Sequence, residues 1–379
     1  MFESKEKNTV SLYVHIPFCK TKCHYCAFYK VIWTDNKEQA FIESVCLEIK
    51  AYKQKCETLV IPSIFLGGGT PSLLSPKSLD LLFKTIRDSF TLSPKCEITM
   101  ETNPESVNKL FLNQIKNVGI NRLSLGIQSF NNEELKYLGR SHTTETIHNA
   151  LVNIREHGNF NINLDLIFSI PNSNSKTLEY SLNQALQYEP EHLSTYALSI
   201  EHGTVFDRKK VRPLESDTEL DQYNQIKTKL SENKYDHYEI SAFAKSTKQC
   251  VHNKRYWQYK PFIGVGPSGH SFYNNCRYEN PSDLEKYLSN PEKLPKSKTL
   301  VALSKKERIE EFVMSNLRLK EGFIFKEFET EFNDDFPTLF KTQLSKLQQL
   351  QLITVDNKHI KTSEKGQALL NSVLEEFLL

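Results

Sequence analysis

Between residue 11 and about residue 245 the chain alternates short apolar, β-rich runs with amphipathic stretches of helical period. That alternation restricts the fold more than any other feature. The runs span 12–16, 63–66, 97–100, 122–125, 162–167 and 192–200, with 237–240 as a further candidate. The stretches between them are 36–54, 77–89, 105–118, 143–157, 175–188 and 216–233. Strands that regularly alternate with helices pair in parallel, because each helix carries the chain back to the start of the next strand. The runs near 12 and 64 lack strict alternation, as expected of strands covered on both faces. The pattern predicts an α/β fold, either a barrel or an open doubly wound sheet.

With 379 residues, a second and smaller unit is expected. Residues 246–300 are poor in periodicity and rich in Pro, Asn, Ser and Gly, so they are expected to form a loop-rich connector that lies against the core at 1–245 and leads to an appendix at 301–379. In the appendix a helix at 305–319 precedes 325–332, a second helix follows near 337–349, a hairpin at 350–360 turns at Asp356-Asn357-Lys358, and a last helix ends the chain. That order suggests a small helical, winged-helix-like domain. Such wings often hold DNA, but residues 301–379 carry 11 Lys/Arg against 13 Asp/Glu, and the whole chain has a formal charge of only +2. No basic footprint for phosphates is present there, so a packing or protein-docking role is expected and nucleic acid is not. The charged start at residues 1–7 is unlike a secretory signal. No apolar run approaches the ~18 residues of a membrane span. A cytoplasmic location without an integral membrane segment is expected.

The chemistry concentrates in Cys19-Lys-Thr-Lys-Cys23-His-Tyr-Cys26. Three of the eight cysteines crowd into one loop, while Cys46, Cys56, Cys96, Cys250 and Cys276 are scattered, which reads as metal binding plus reduced thiols. Soft thiolates select zinc or an iron–sulfur cluster. Three of them leave one position of a four-iron cluster open to a small molecule, by the logic of catalytic metal sites. A structural zinc completed by His15 or His24 is the alternative. The loop follows the first strand, and other unusual residues fall at equivalent strand ends: Gly67-Gly-Gly-Thr-Pro71, Glu101-Thr-Asn-Pro104, Gly126-Ile-Gln128, Asp165 and Tyr196-Ala197. In parallel βα folds ligands sit at that edge. Consecutive glycines let backbone groups approach a ligand closely. Glu101 can accept from a ribose diol or pair with an ammonium, Gln128 and Asp165 add polar contacts, and Arg140 can pair with a carboxylate.

Taken together, Tyr13-Val-His-Ile-Pro-Phe-Cys19, the CxxxCxxC loop, the Gly67–Pro71 run and Arg122-Leu-Ser-Leu-Gly-Ile-Gln-Ser-Phe130 resemble the radical S-adenosylmethionine proteins, nearest the HemN/HemW group, over essentially the whole chain. The resemblance implies a partial (β/α)6 radical SAM barrel of the TIM type. In it Cys19, Cys23 and Cys26 would hold a 4Fe-4S cluster whose fourth iron is chelated by S-adenosylmethionine. Tyr13, Tyr25, Gly68, Gly69, Thr70, Glu101, Gln128, Arg140, Asp165 and Ala197 would contact the nucleoside or methionine, or support those that do. The oxygen-independent coproporphyrinogen oxidases of the group carry another cysteine two positions past the third and a long extension before the cluster. Here Ala27-Phe28 follow, and eighteen residues precede Cys19. Both features resemble the haem-chaperone branch.

A second stretch, Cys250-Val-His252-Asn253-Lys254-Arg255-Tyr256-Trp257, resembles the His-Asn-x-x-Tyr-Trp motif associated with haem in that branch. His252 could offer a neutral imidazole to haem iron, Tyr256 and Trp257 a flat apolar surface, and Lys254 or Arg255 a cation for a propionate. His270 is a second candidate ligand, and Cys250 reads as a buried thiol. The expectation is a haem chaperone with a cluster, S-adenosylmethionine, an electron donor and an unidentified haem acceptor. A radical decarboxylase of coproporphyrinogen is the alternative.

Overall fold

The structure, a computed structural model, describes residues 9–55, 59–291 and 301–379. Residues 1–8, Cys56 and the end of the 246–300 stretch lie outside the described residues. Six strands, β1 (Ser11–Ile16), β2 (Val60–Gly68), β3 (Thr91–Thr102), β4 (Arg122–Gln128), β5 (Asn161–Phe168) and β6 (His192–Ala197), lie side by side in chain order, every neighbouring pair parallel. Between them run α1 (Asp35–Lys55), α2 (Pro76–Ser89), α3 (Lys109–Asn117), α4 (Thr144–His157) and α5 (Ser175–Leu186), and α6 (Ser216–Glu232) follows β6. Side-chain oxygens of Ser75, Asn108, Thr143 and Asn174 accept from orphan backbone N–H groups and so start α2, α3, α4 and α5. One apolar core runs from Val10 through the strands and the inner faces of the helices, which explains the near-continuous burial along β1 and β4. The fold is the expected partial barrel.

Two expectations need correction. Within 246–291 the chain forms α7 (Val251–Trp257), β7 (Phe262–Val265), strands His270–Tyr273 and Cys276–Glu279, and a short helix Leu284–Leu288. β7 pairs in parallel with the free side of β1, and Ile263, Val265, Leu284 and Tyr287 lie in the barrel core. Four-residue strands set among Pro261, Gly264 and Gly266 are too short to display a period, and the partner of β7 lies at the opposite end of the barrel sequence. The candidate strand at 237–240 forms over Asp236–Glu239, but as an antiparallel hairpin with Ala242–Ala244, which pairs antiparallel with β6. The sheet therefore stays open, with antiparallel strands outside both β6 and β7.

The appendix contains α8 (Lys305–Asn316), helices Phe325–Phe332 and Lys341–Gln349, and a hairpin of Ile353–Val355 with His359–Thr362, to which Phe323–Ile324 adds a third strand. Its interior is aromatic: Phe312, Phe323, Phe328, Phe332, Phe336, Phe340 and Phe377 are all at most 5% exposed. Tyr259, in the turn after α7, and Phe272, from the main sheet, belong to the same cluster, and Arg277 pairs with Glu311 at 2.6 Å across the junction. No helix among the described residues is long and apolar enough to cross a membrane.

Candidate functional site

Strand register sets the site. His15 lies beside Gly67 and Ile16 beside Gly68, so the cysteine loop and the glycine run leave β1 and β2 at one level. On the other side Gly126 lies beside Asp165, and Asp165 beside Ser194. All these strand ends open on one cavity of about 710 Å³.

The cysteine loop is closed at its neck. Phe18–Cys19 pairs in parallel with Val31–Ile32, and the N–H groups of Val31 and Trp33 donate to the carbonyls of Pro17 and Cys19. Phe18 is fully buried between Trp33 and Phe41, both edge-on at 5.1 Å. The glycine run is bound to this neck: Gly69 N–H donates to Ile16 O and Thr70 N–H to Phe18 O, each at 2.7 Å. Gly68 has φ +107°, and a Cβ there would stand 2.5 Å from the His15 ring; one at Gly69 would stand 2.5 Å from the Phe18 carbonyl oxygen. Only glycine permits that approach at Gly68 and Gly69.

Around the thiols, Thr70 Oγ1 donates to Cys19 Sγ at 3.7 Å and Arg140 Nη1 to Cys23 Sγ at 3.3 Å. Burial pushes the Cys19 thiol up, with the Thr70 contact opposing it. Among the described residues no group of three or more His, Cys, Asp or Glu is arranged to hold a metal ion. Of the two histidines that a zinc site would need, one is engaged at both ring nitrogens and the other at one. His15 bonds Tyr13 OH and Tyr29 O through its two ring nitrogens, and His24 Nδ1 bonds Tyr137 O. The thiols thus stand around the cavity wall and do not close on one point with a histidine.

Opposite them sit two carboxyls. Glu101 Oε2 accepts the Gly68 N–H at 3.0 Å. Burial, and then the negative charge of Asp165, push the Glu101 carboxyl up to about 8. Burial also raises Asp165, against donors from Asn163 Nδ2 at 2.8 Å and Ser124 Oγ at 3.0 Å. Arg140 is clamped through Nη2 by Asn103 Oδ1 and the Gly126 carbonyl, each at 2.8 Å, and its buried Nε has no partner. Asn163 and Ser194 were not singled out from the sequence, and Asn103 and Ser124 stood there only inside longer motifs. The Asn163-x-Asp165 alternation on β5 is a local signal for Asn163, since side chains two apart share a strand face.

The residues expected at the cluster and S-adenosylmethionine all line this cavity, Cys19, Cys23 and Cys26, then Tyr13, Tyr25, Gly68, Gly69, Thr70, Glu101, Gln128, Arg140, Asp165 and Ala197, and so does His252. His252, however, is 1% exposed and engaged at both ring nitrogens, Nδ1 to Ser63 Oγ at 3.0 Å and Nε2 to Tyr256 OH at 2.8 Å. Burial, with the Arg255 and Arg122 charges, lowers it to about 3, so it is neutral. Three other residues of that stretch face away. Lys254 pairs with Glu321 at 2.9 Å, and Arg255 donates to Ser11 Oγ and Thr9 O. Trp257 packs with Tyr238, Ala242, Ala244 and Leu319, under the Arg318 guanidinium at 5.4 Å. None of the three lines the cavity, because on a seven-residue helix only His252, Asn253 and Tyr256 fall on the inward side. His270 lies outside it too, its side chain 65% exposed. Cys250 is the expected buried thiol, fully enclosed against Glu97 and pushed up to about 12 by burial.

Residues 13–185 match the radical SAM superfamily model and residues 303–369 that of the HemN C-terminal domain. A Lactococcus lactis protein named "Heme chaperone HemW" is 33% identical over 97% of this chain and 97% of its own length. One of the same name from Bacillus subtilis is 31% identical over 97% and 99%. Among solved structures, coproporphyrinogen III oxidase (HemN) from Escherichia coli, described as a radical SAM enzyme, shares the fold with a TM-score of 0.86 at 23% identity, over 99% of this chain and 91% of that one.

Proposed function

The chain belongs to the radical S-adenosylmethionine superfamily and, within it, to the family of the HemW haem chaperones, and from that premise we propose that it binds haem and passes it to an acceptor protein. The observation that carries the reading is the meeting of three thiols, a glycine cradle and two buried carboxyls on one cavity. Cys19, Cys23 and Cys26 would hold a 4Fe-4S cluster, and three sulfur donors suit a centre that keeps one position open. Bound together, the cluster and S-adenosylmethionine supply one-electron chemistry at that position.

The chain's own groups fit such a ligand. Glu101 is held by a backbone N–H and no cation, so a cationic sulfonium or ammonium compound would neutralise it. The unpartnered Nε of Arg140 can meet a carboxylate. Tyr13, Tyr25, Gln128 and Ala197 complete the wall, and Gly68–Thr70 present backbone to it. Haem would approach the aromatic side of Phe65, His252 and Tyr256, whose rings are 4.8–5.2 Å apart. A cytoplasmic site of action and an external electron donor complete the reading.

Protein reconstituted without oxygen is expected to contain iron and sulfide at cluster stoichiometry and to develop a Soret band with added haem. Consumption of coproporphyrinogen without haem binding would overturn the chaperone reading in favour of the oxidase. Stoichiometric zinc without iron would overturn the cluster.

A further inference from the structure

The two cations expected to meet a propionate, Lys254 and Arg255, are engaged outside the cavity, which leaves the haem side without the charge that the reading needs. Arg122 supplies one. It opens β4, lines the cavity together with His252, Asn253 and Tyr256, and is 3% exposed. Burial, then the Arg255 and Arg122 charges, lower His252, so the Arg122 guanidinium stands on the same side of the cavity as that ring. It forms no hydrogen bond or ion pair with a described residue. Glu97 and Asp165, whose charges reach it, are taken by other donors. Glu97 accepts the Val251 and His252 N–H groups, each at 3.0 Å, in the first turn of α7, and Asp165 accepts from Asn163 and Ser124. An arginine does not shed its charge, and a buried cation without a hydrogen-bonded partner is destabilising. The group that best satisfies a guanidinium is an anion with two coplanar acceptors, which is the shape of a carboxylate. Asn253 adds a side-chain amide that likewise has no partner among the described residues.

We propose that Arg122 takes a haem propionate at the inner end of the cavity, with the macrocycle against the rings of Phe65 and Tyr256. The inference rests on the haem reading and deepens it. S-Adenosylmethionine does not need this charge. Its one carboxylate has Arg140, which is held at the carbonyl of Gly126. Gly126 is four residues further along β4, roughly 13 Å away at the rise of a strand. Lys20 and Lys30 also line the cavity, but both stand on the cysteine loop, beyond the opposite end of the parallel strands. Arg122 is thus the cation that a carboxylate meets once it has passed the aromatic wall. Phe65, stacked on Tyr13 with centroids 6.2 Å apart, and Tyr256 give the apolar surface on which a flat ring system can lie.

The test is a Soret titration of the full chain with two probes, haem and its dimethyl ester, in which both propionates are capped and the macrocycle is unchanged. The parent chain is expected to bind haem about tenfold or more tightly than the ester, the ratio for one charge-assisted pair. In Arg122→Gln the preference should vanish, haem affinity falling to that of the ester, and Arg122→Lys should regain part of it. Equal affinity of the parent chain for the two probes would overturn the proposal and leave the haem reading standing. That comparison needs no variant, so it decides the matter even if Arg122 proves necessary for folding. Binding of neither probe would end the haem reading and the proposal with it. Weakened S-adenosylmethionine binding in Arg122→Gln, with the preference for haem over the ester intact, would also overturn it, since the guanidinium would then serve the sulfonium ligand.

Discussion

At Glu101 the cavity stores a proton. Its carboxyl is held near 8 in the folded chain against an ordinary 4.5, so between those values the folded state carries a proton that the unfolded state lacks. Its contribution therefore favours folding fully below about 4.5 and is lost as pH rises through about 8. A cation entering the cavity reverses the preference and expels the proton. Binding of S-adenosylmethionine at pH 7 is expected to release up to one proton, read by calorimetry in buffers of different ionisation enthalpy, and to tighten as pH rises toward 8. Glu101→Gln should abolish the release and weaken binding about tenfold, in line with losing one charge-assisted partner. Proton-neutral binding in the parent chain would show that Glu101 is already ionised. His252 gives a second test. Its neutral imidazole suits iron, but both nitrogens are engaged. If it is the haem ligand, Tyr256→Phe frees Nε2 and should tighten haem binding, whereas His252→Ala should remove the Soret shift. Equal Soret titrations for the parent chain and both variants would make His252 a wall residue only.

Among the elements, the neck of the cysteine loop is the least forgiving. Gly69→Ala places a Cβ 2.5 Å from the Phe18 carbonyl oxygen, a backbone atom that cannot swing aside. The expected result is loss of cluster assembly, measured as iron and sulfide content, with stability reduced by about 1–3 kcal/mol as for other overpacked sites. Full iron content in this variant would show that the neck can open. The cysteine loop, the glycine run and the carboxyl-bearing strand ends were legible because each is a compact local pattern at the end of an apolar run, whereas the pairing that closes the neck was not. The 251–288 elements were not, since β7 owes its place to β1 and not to its own four residues. Nor did residue types reveal that α7 turns Trp257 and Lys254 outward; that follows from how the helix is seated.

For the whole molecule, the question is whether barrel and appendix are separable. Phe312 makes ring contacts with Tyr259 of the main sheet side and with Phe323, Phe328 and Phe332 of the appendix. Phe312→Ala should destabilise by about 3–5 kcal/mol, the range for emptying a buried aromatic site. Because the shared cluster spans both units, scanning calorimetry should show one transition moved to lower temperature. Two resolved transitions in the parent chain would show that the junction is weaker than its contacts suggest. The helix Val251–Trp257 sits at this junction with Tyr256 against the cavity and with Trp257 and Lys254 against the appendix. Two turns of helix are too short to flex between such anchors, so the small unit cannot be tugged or tilted without dragging a wall of the ligand chamber along: whatever grips the tail of the protein has its hand on the door.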